Sequence, residues 1–82
     1  MESGITNPQE GTMAESATYK IVELAGTSTD SIAEAMRSGV RRAAKTLRNI
    51  DWVETTSIRA HIEDGEIAQF QVEMKVGFRL ED

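Results

Sequence analysis

The sequence predicts an α+β subunit of order β-α-β-β, in which a three-stranded antiparallel-type sheet packs on one helix. Three observations carry this. A long C-terminal segment alternates apolar and polar residues with period two. A central segment repeats apolar residues at spacings of four and three behind a helix-start signal. A short β-branched run precedes both. The chain has 82 residues, enough for one domain.

Residues 1–17 hold the only proline and almost no bulky apolar side chains, so they read as a disordered N-terminal tail ahead of a folded domain at 18–82. Tyr19–Ala25 (YKIVELA) is the first predicted strand and ends at Gly26. Val22 and Leu24 share one face, while Tyr19 and Ile21 share the other. Both faces are therefore expected to be covered.

Thr27–Ser31 is the helix-start signal. Ser28 is the preferred N-cap, and Ser31-Ile32-Ala33-Glu34 is a capping box that would start the helix one turn later. Ile32, Met36, Val40, Ala43, Leu47 and Ile50 make one apolar stripe, and Arg37, Arg41, Lys45 and Arg48 lie opposite. Gly39 costs about 1 kcal/mol against alanine inside a helix. The close approach of another backbone is the natural reason for it.

Trp52–Ile62 is the second strand, and Glu66–Leu80 the third. In the third, Ala68, Phe70, Val72, Met74, Val76, Phe78 and Leu80 fall on one face. Gln69, Gln71, Glu73, Lys75, Gly77 and Arg79 fall on the other. Such a strand spans roughly 50 Å, whereas a compact domain of this size is about 30 Å across. It must bend sharply or run past its own domain into a neighbour. A two-residue Asp64-Gly65 turn would set the apolar face of one strand against the polar face of the next. A three-residue loop with left-handed Gly65 pairs Ala60 with Ala68 and Ile58 with Phe70, and is preferred. The third strand is expected between the other two, with the helix on the apolar face.

Composition excludes several function classes. There is no cysteine and only one histidine, so disulfide staples and histidine–thiolate metal cages are not expected. The net charge of −5 argues against nucleic-acid binding. No apolar run reaches membrane-spanning length and no signal-peptide pattern opens the chain, so a soluble cytoplasmic protein is expected. No phosphate loop, zinc motif or nucleophile elbow is present, and His61 lacks the partners of a catalytic base. The chain is not expected to be an enzyme.

Two residues stand out as binding candidates. Trp52, the only tryptophan, is most simply a core residue. Plain alternation agrees, since it shares parity with Ile58 and Ile62. The other reading is a stacking platform for a flat ring. A bulge near Thr55 or Thr56 would separate the two readings by putting Val53 in the core position. Gln71, in mid-strand, is either solvated or an amide offering both donor and acceptor to a planar heterocycle. In the preferred register Arg59, Gln69, Gln71 and Arg79 share one face. They form an anion-tolerant surface or pair with Glu54 or Glu73 of a neighbour. Arg41, Arg42 and Lys45 make a solvated basic stripe, or a weaker phosphate site.

The patterns V-E-L-x-G-T-S at Val22–Ser28, T-L-R-N-I-D-W at Thr46–Trp52, S-I-R at Ser57–Arg59 and F-Q-V-E-M-K-V-G-F-R-L at Phe70–Leu80 closely resemble the dodecins. The resemblance runs from Tyr19 to the C-terminus, and its V-G-F-R-L ending looks like the bacterial branch. It implies a hollow homododecamer that stores flavin, FMN or riboflavin, as stacked pairs between tryptophans at subunit interfaces. It implies that Trp52 stacks on the flavin, that Gln71 hydrogen-bonds the ring edge, and that Asp51 stands beside the stacking residue. Arg59 and Arg79 match positions at the phosphate-bearing end of FMN. Some bacterial members also bind coenzyme A, for which Lys20 and Arg42 match candidate positions. The resemblance places Trp52 at an interface, and so predicts an irregularity between Trp52 and Ile58. The competing functions are an oligomeric cage without a ligand and a small flavin-dependent reductase.

Overall fold

The computed structural model describes residues 16–81, so most of the expected tail, residues 1–15, lies outside the described residues. Strand β1 (Tyr19–Ser28), helix α1 (Ile32–Ala44), strand β2 (Ile50–Glu63) and strand β3 (Glu66–Arg79) follow the predicted order. The sheet order is β1-β3-β2, with β3 antiparallel to both neighbours. β3 is central because it alone carries a long apolar face that both edge strands can use. Its Val72, Met74 and Val76 are fully buried.

β1 is longer than predicted. Gly26 does not end it, because pairing continues through Thr27–Gln71 to Ser28–Phe70. That extension moves the helix start. With the chain held extended to Ser28, the N-cap is Ser31 and not Ser28. Ser31 has extended backbone (φ −165°, ψ 164°), and its Oγ accepts from the Glu34 backbone N–H at 3.0 Å. Ser28 Oγ instead accepts from the Asp30 N–H at 2.9 Å and closes the turn between strand and helix. The reciprocal half of the capping box is not made, since the Glu34 carboxylate takes the Arg37 guanidinium at 2.6 Å. Ser31→Ala is expected to cost about 1 kcal/mol, and thermal denaturation should show a larger drop for it than for Ser28→Ala.

The helix also ends sooner than the predicted stripe. Leu47 lies in the exit loop, its N–H donating to the Ala43 carbonyl at 2.9 Å, and Ile50 opens β2. Ile32 is exposed, whereas the buried positions of α1 are Ala35, Gly39 and Ala43, one turn apart. Small residues win this face because α1 crosses β1 at Gly26, nearly backbone to backbone. A Cβ on Gly39 would lie 3.3 Å from the Gly26 Cα and 3.1 Å from Leu24 Cδ1. This is the close approach expected from Gly39.

The β2–β3 turn corrects the three-residue loop. Asp64 (φ 52°) and Gly65 (φ 77°) form a two-residue turn between the paired Glu63 and Glu66. Two adjacent left-handed residues match the twist of the flanking strands. The parity conflict is removed one step later. Between His61 and Ile62 the register shifts, as β3 takes one extra residue, Ala68. Ala60 then pairs with Phe70 and Ile58 with Val72, not with Ala68 and Phe70. The apolar faces still coincide. A bulge, rather than a longer loop, restores them.

α1 covers β1 and β3 and makes at most marginal contact with β2. On the uncovered end Ile58, Ile62 and Ile67 are each more than half exposed. The hairpin runs on past the helix and gives the subunit extents of 56 × 29 × 15 Å. Of the two outcomes open to the overlong strand, this is the projecting one.

Candidate functional site

The candidate binding residues gather on the sheet face opposite the helix. A second bulge decides this. Between Thr55 and Ser57 the register of β2 shifts, leaving Thr56 as the extra residue with its Oγ1 donating to the Glu73 carbonyl at 3.2 Å. Beyond that point every β2 side chain changes face. Val53 therefore pairs with Val76 on the helix side, and Trp52 pairs with Gly77 on the other. The irregularity expected between Trp52 and Ile58 is present, and plain alternation, which put Trp52 inside, is overturned.

Trp52 rests directly on the Gly77 backbone. A Cβ at Gly77 would lie 2.7 Å from Trp52 Cδ2 and closer still to Cε2 and Cζ2. Gly77 is buried beneath the indole, which keeps 37% of its surface exposed. One face of the indole is thus bedded on backbone, and the rest is presented outward.

Asp51 and Tyr19 frame the indole. Asp51 sits at a third register shift, between Ile50 and Trp52, after left-handed Asn49 turns the chain into β2. Asn49 is tied to the β3 end by its carbonyl, which accepts from the Arg79 N–H at 3.0 Å. The Tyr19 hydroxyl donates to Asp51 Oδ2 at 2.6 Å, and its ring centroid lies 6.5 Å from that of Trp52 at a 42° tilt. Arg79 is the register partner of Tyr19.

The hydrogen bond to Asp51 is the main reason the Tyr19 phenol is held above its ordinary pKa of 10.0. Partial burial and the Asp51 charge add to it, and Arg79 opposes it. Because the folded value lies above the unfolded one, this contribution to stability is present below pH 10.0 and is lost as pH rises through the folded midpoint. Tyr19 is the only tyrosine, so phenolate absorbance reports it alone. Its titration midpoint is expected above 10.0 and should fall toward 10.0 in Asp51→Asn.

Gln71 and Arg59 form a second group, paired directly across β3 and β2. Gln71 Nε2 donates to Gln69 Oε1 at 3.2 Å, and Arg59 pairs with Glu73 at 3.2 Å within the same chain. The two groups do not meet. Gly77 and Gln71 are six positions apart on β3, roughly 20 Å along a strand. Arg79 is likewise eight positions along β3 from Gln71, the partner of Arg59. No single planar ring can touch Trp52 and Gln71 of one chain, so a site using both needs two copies.

Lys20 and Arg42 are both exposed, on β1 and α1. His61 is exposed and faces Glu63 at 3.4 Å. Two contributors escaped the sequence reading. Gly77 had a signal, since glycine inside a strand marks close approach of another group. Tyr19 had none, because its partner is 32 residues away.

The comparisons agree with this architecture. A family model described as Dodecin matches residues 18–81. A dodecin from Thermus thermophilus is 45% identical over 64 residues, covering 78% of this chain and 93% of that protein. The structure of dodecin from Streptomyces coelicolor is 50% identical with a TM-score of 0.78, covering 80% of this chain and 94% of its own. Dodecin from Streptomyces davaonensis is 44% identical with a TM-score of 0.80, covering 83% of this chain and all of the other. From its motifs, its fold and these relatives, the chain belongs to the dodecin family.

Proposed function

We propose that this protein binds and sequesters flavin, FMN or riboflavin, at interfaces between its own copies, as a storage protein and not as an enzyme. The observation that supports this most is the only tryptophan, turned outward by a bulge and bedded on a glycine. That arrangement offers a rigid, half-exposed aromatic wall, and such walls stack on flat rings at low entropic cost. The second support is the distance between Trp52 and Gln71, which asks for a neighbouring copy. The uncovered apolar end of the hairpin gives that copy something to bury.

A bound flavin supplies a photoreactive, redox-active tricyclic ring. Trp52 covers a face of that ring and excludes water from it. Gln71 of a neighbouring copy offers its amide to the ring edge, as donor and acceptor at once. Arg59 of one copy and Arg79 of another supply positive charge for a phosphate, with Arg59 giving up part of its pairing with Glu73. Asp51 holds the Tyr19 hydroxyl and thereby the β2 segment that carries the indole. The assembly we propose is a hollow homododecamer. Among the described residues, no helix is long and apolar enough to cross a membrane.

Flavin fluorescence titration combined with mass in solution tests the reading. The wild-type protein should quench flavin emission as a large assembly. Gly77→Ala should keep the fold, since the indole above it can move, but should lower affinity about fivefold or more, because the displaced indole forfeits a stacking contact worth roughly 1–3 kcal/mol. An assembly that quenches no flavin would leave a structural cage. Steady turnover with a nicotinamide cofactor would favour a reductase.

A further inference from the structure

The single tyrosine and the single tryptophan of this chain are neighbours, and the tyrosine hydroxyl already points at a carboxylate. We propose that Tyr19 and Asp51 form a relay that re-reduces Trp52 after it has lost an electron. An indolyl radical cation oxidises a phenol readily only when the phenol can lose its proton in the same event. Asp51 Oδ2 accepts the Tyr19 hydroxyl proton at 2.6 Å, so the acceptor is in place before the electron moves. The centroid separation of 6.5 Å is short enough for direct transfer between the rings.

One electron passes from Tyr19 to the indolyl radical cation, and one proton passes from the Tyr19 oxygen to Asp51. The products are a neutral indole, a neutral tyrosyl radical and a neutral carboxylic acid. The electron that restores the phenol returns from the acceptor that took it, and the proton returns from Asp51. The charged groups about the phenol are Asp51 on β2 and Arg79 on β3. Arg79 disfavours a build-up of positive charge at Tyr19, so the proton must leave with the electron. In the cell the oxidant would be a photoexcited flavin, which makes the role rest on the flavin reading. The relay itself belongs to Tyr19, Asp51 and Trp52 alone.

The test therefore uses the flavin-free full-length protein and an external one-electron oxidant, azide radical made by pulse radiolysis. In the wild type the indolyl absorbance should decay as the tyrosyl absorbance rises, at a rate independent of protein concentration. Asp51→Asn should slow that transfer about 100-fold, the contribution of a positioned proton acceptor. Tyr19→Phe should leave a long-lived indolyl radical. Independently of any variant, the wild-type transfer should be slower in deuterium oxide. A wild-type indolyl lifetime equal to that of Tyr19→Phe, or no isotope effect, would overturn the relay. Relay kinetics in a protein that binds no flavin would defeat the flavin reading and leave the relay standing.

Discussion

Trp52→Ala is expected to lower flavin affinity by between about 5-fold and 150-fold. Aromatic–heterocycle stacking is worth roughly 1–3 kcal/mol per contact. In a stacked pair held between two tryptophans each ring meets one indole, so about 1–3 kcal/mol is lost per flavin, at a tenfold change per 1.4 kcal/mol. The fold should survive. Trp52 is partly exposed and lies on the face away from α1, so little of the Val72–Met74–Val76 core depends on it. Circular dichroism and mass in solution should match the wild type while flavin quenching disappears. An unchanged titration curve would falsify the stacking role of Trp52.

Gly26→Ala is expected to be the most damaging small substitution for stability. Its Cβ would fall on the Ala35 carbonyl oxygen, 2.9 Å from the Gly39 nitrogen and 3.1 Å from the Ala35 carbonyl carbon. All three are backbone atoms of α1, so no side chain can rotate aside, and the helix must lift off β1. A cost of about 3 kcal/mol or more is reasonable for such overpacking. It should lower Tm by about 10 °C or more for a domain of this size. Gly39→Ala is the control. Its closest neighbour is Met74 Cε at 2.5 Å, the end of a flexible side chain. Alanine in a helix recovers about 1 kcal/mol there. Thermal denaturation should show a much larger loss for Gly26→Ala than for Gly39→Ala, and equal losses would count against the backbone crossing.

The two helix-start candidates show why some features could be read from sequence and others could not. Ser28 and Ser31 carry equivalent local chemistry. The choice between them was made by Gln71 and Phe70, far along the chain, which hold Thr27 and Ser28 in the sheet. The same holds for the stripe on α1. Periodicity finds an apolar face, but Ala35 and Gly39 lie innermost because Gly26 lets the backbones meet. Among the binding candidates, the shared face of Arg59 and Gln71 was legible from the period of two, but their pairing was not, because the expected register sets Arg59 against Gln69 and the bulge at Ala68 moves its partner to Gln71. The setting of Trp52 was not legible from period alone. A motif resemblance was needed to expect the bulge that turned it outward.

By itself the sequence determined the order β-α-β-β, the apolar face of β3 and the family. Each of these depends on residues close in the chain or on an unbroken period. Only the tertiary structure decided that the ladder also slips at Asp51 and Ala68, and fixed at Thr56 the slip that the family resemblance calls for to turn Trp52 outward. It also brought Tyr19 to Asp51 and left the hairpin end uncovered. The physical reason is that a period of two assigns faces only between bulges. A bulge settles where both strands best satisfy their partners, and those partners are set by the whole sheet and by the helix lying on it.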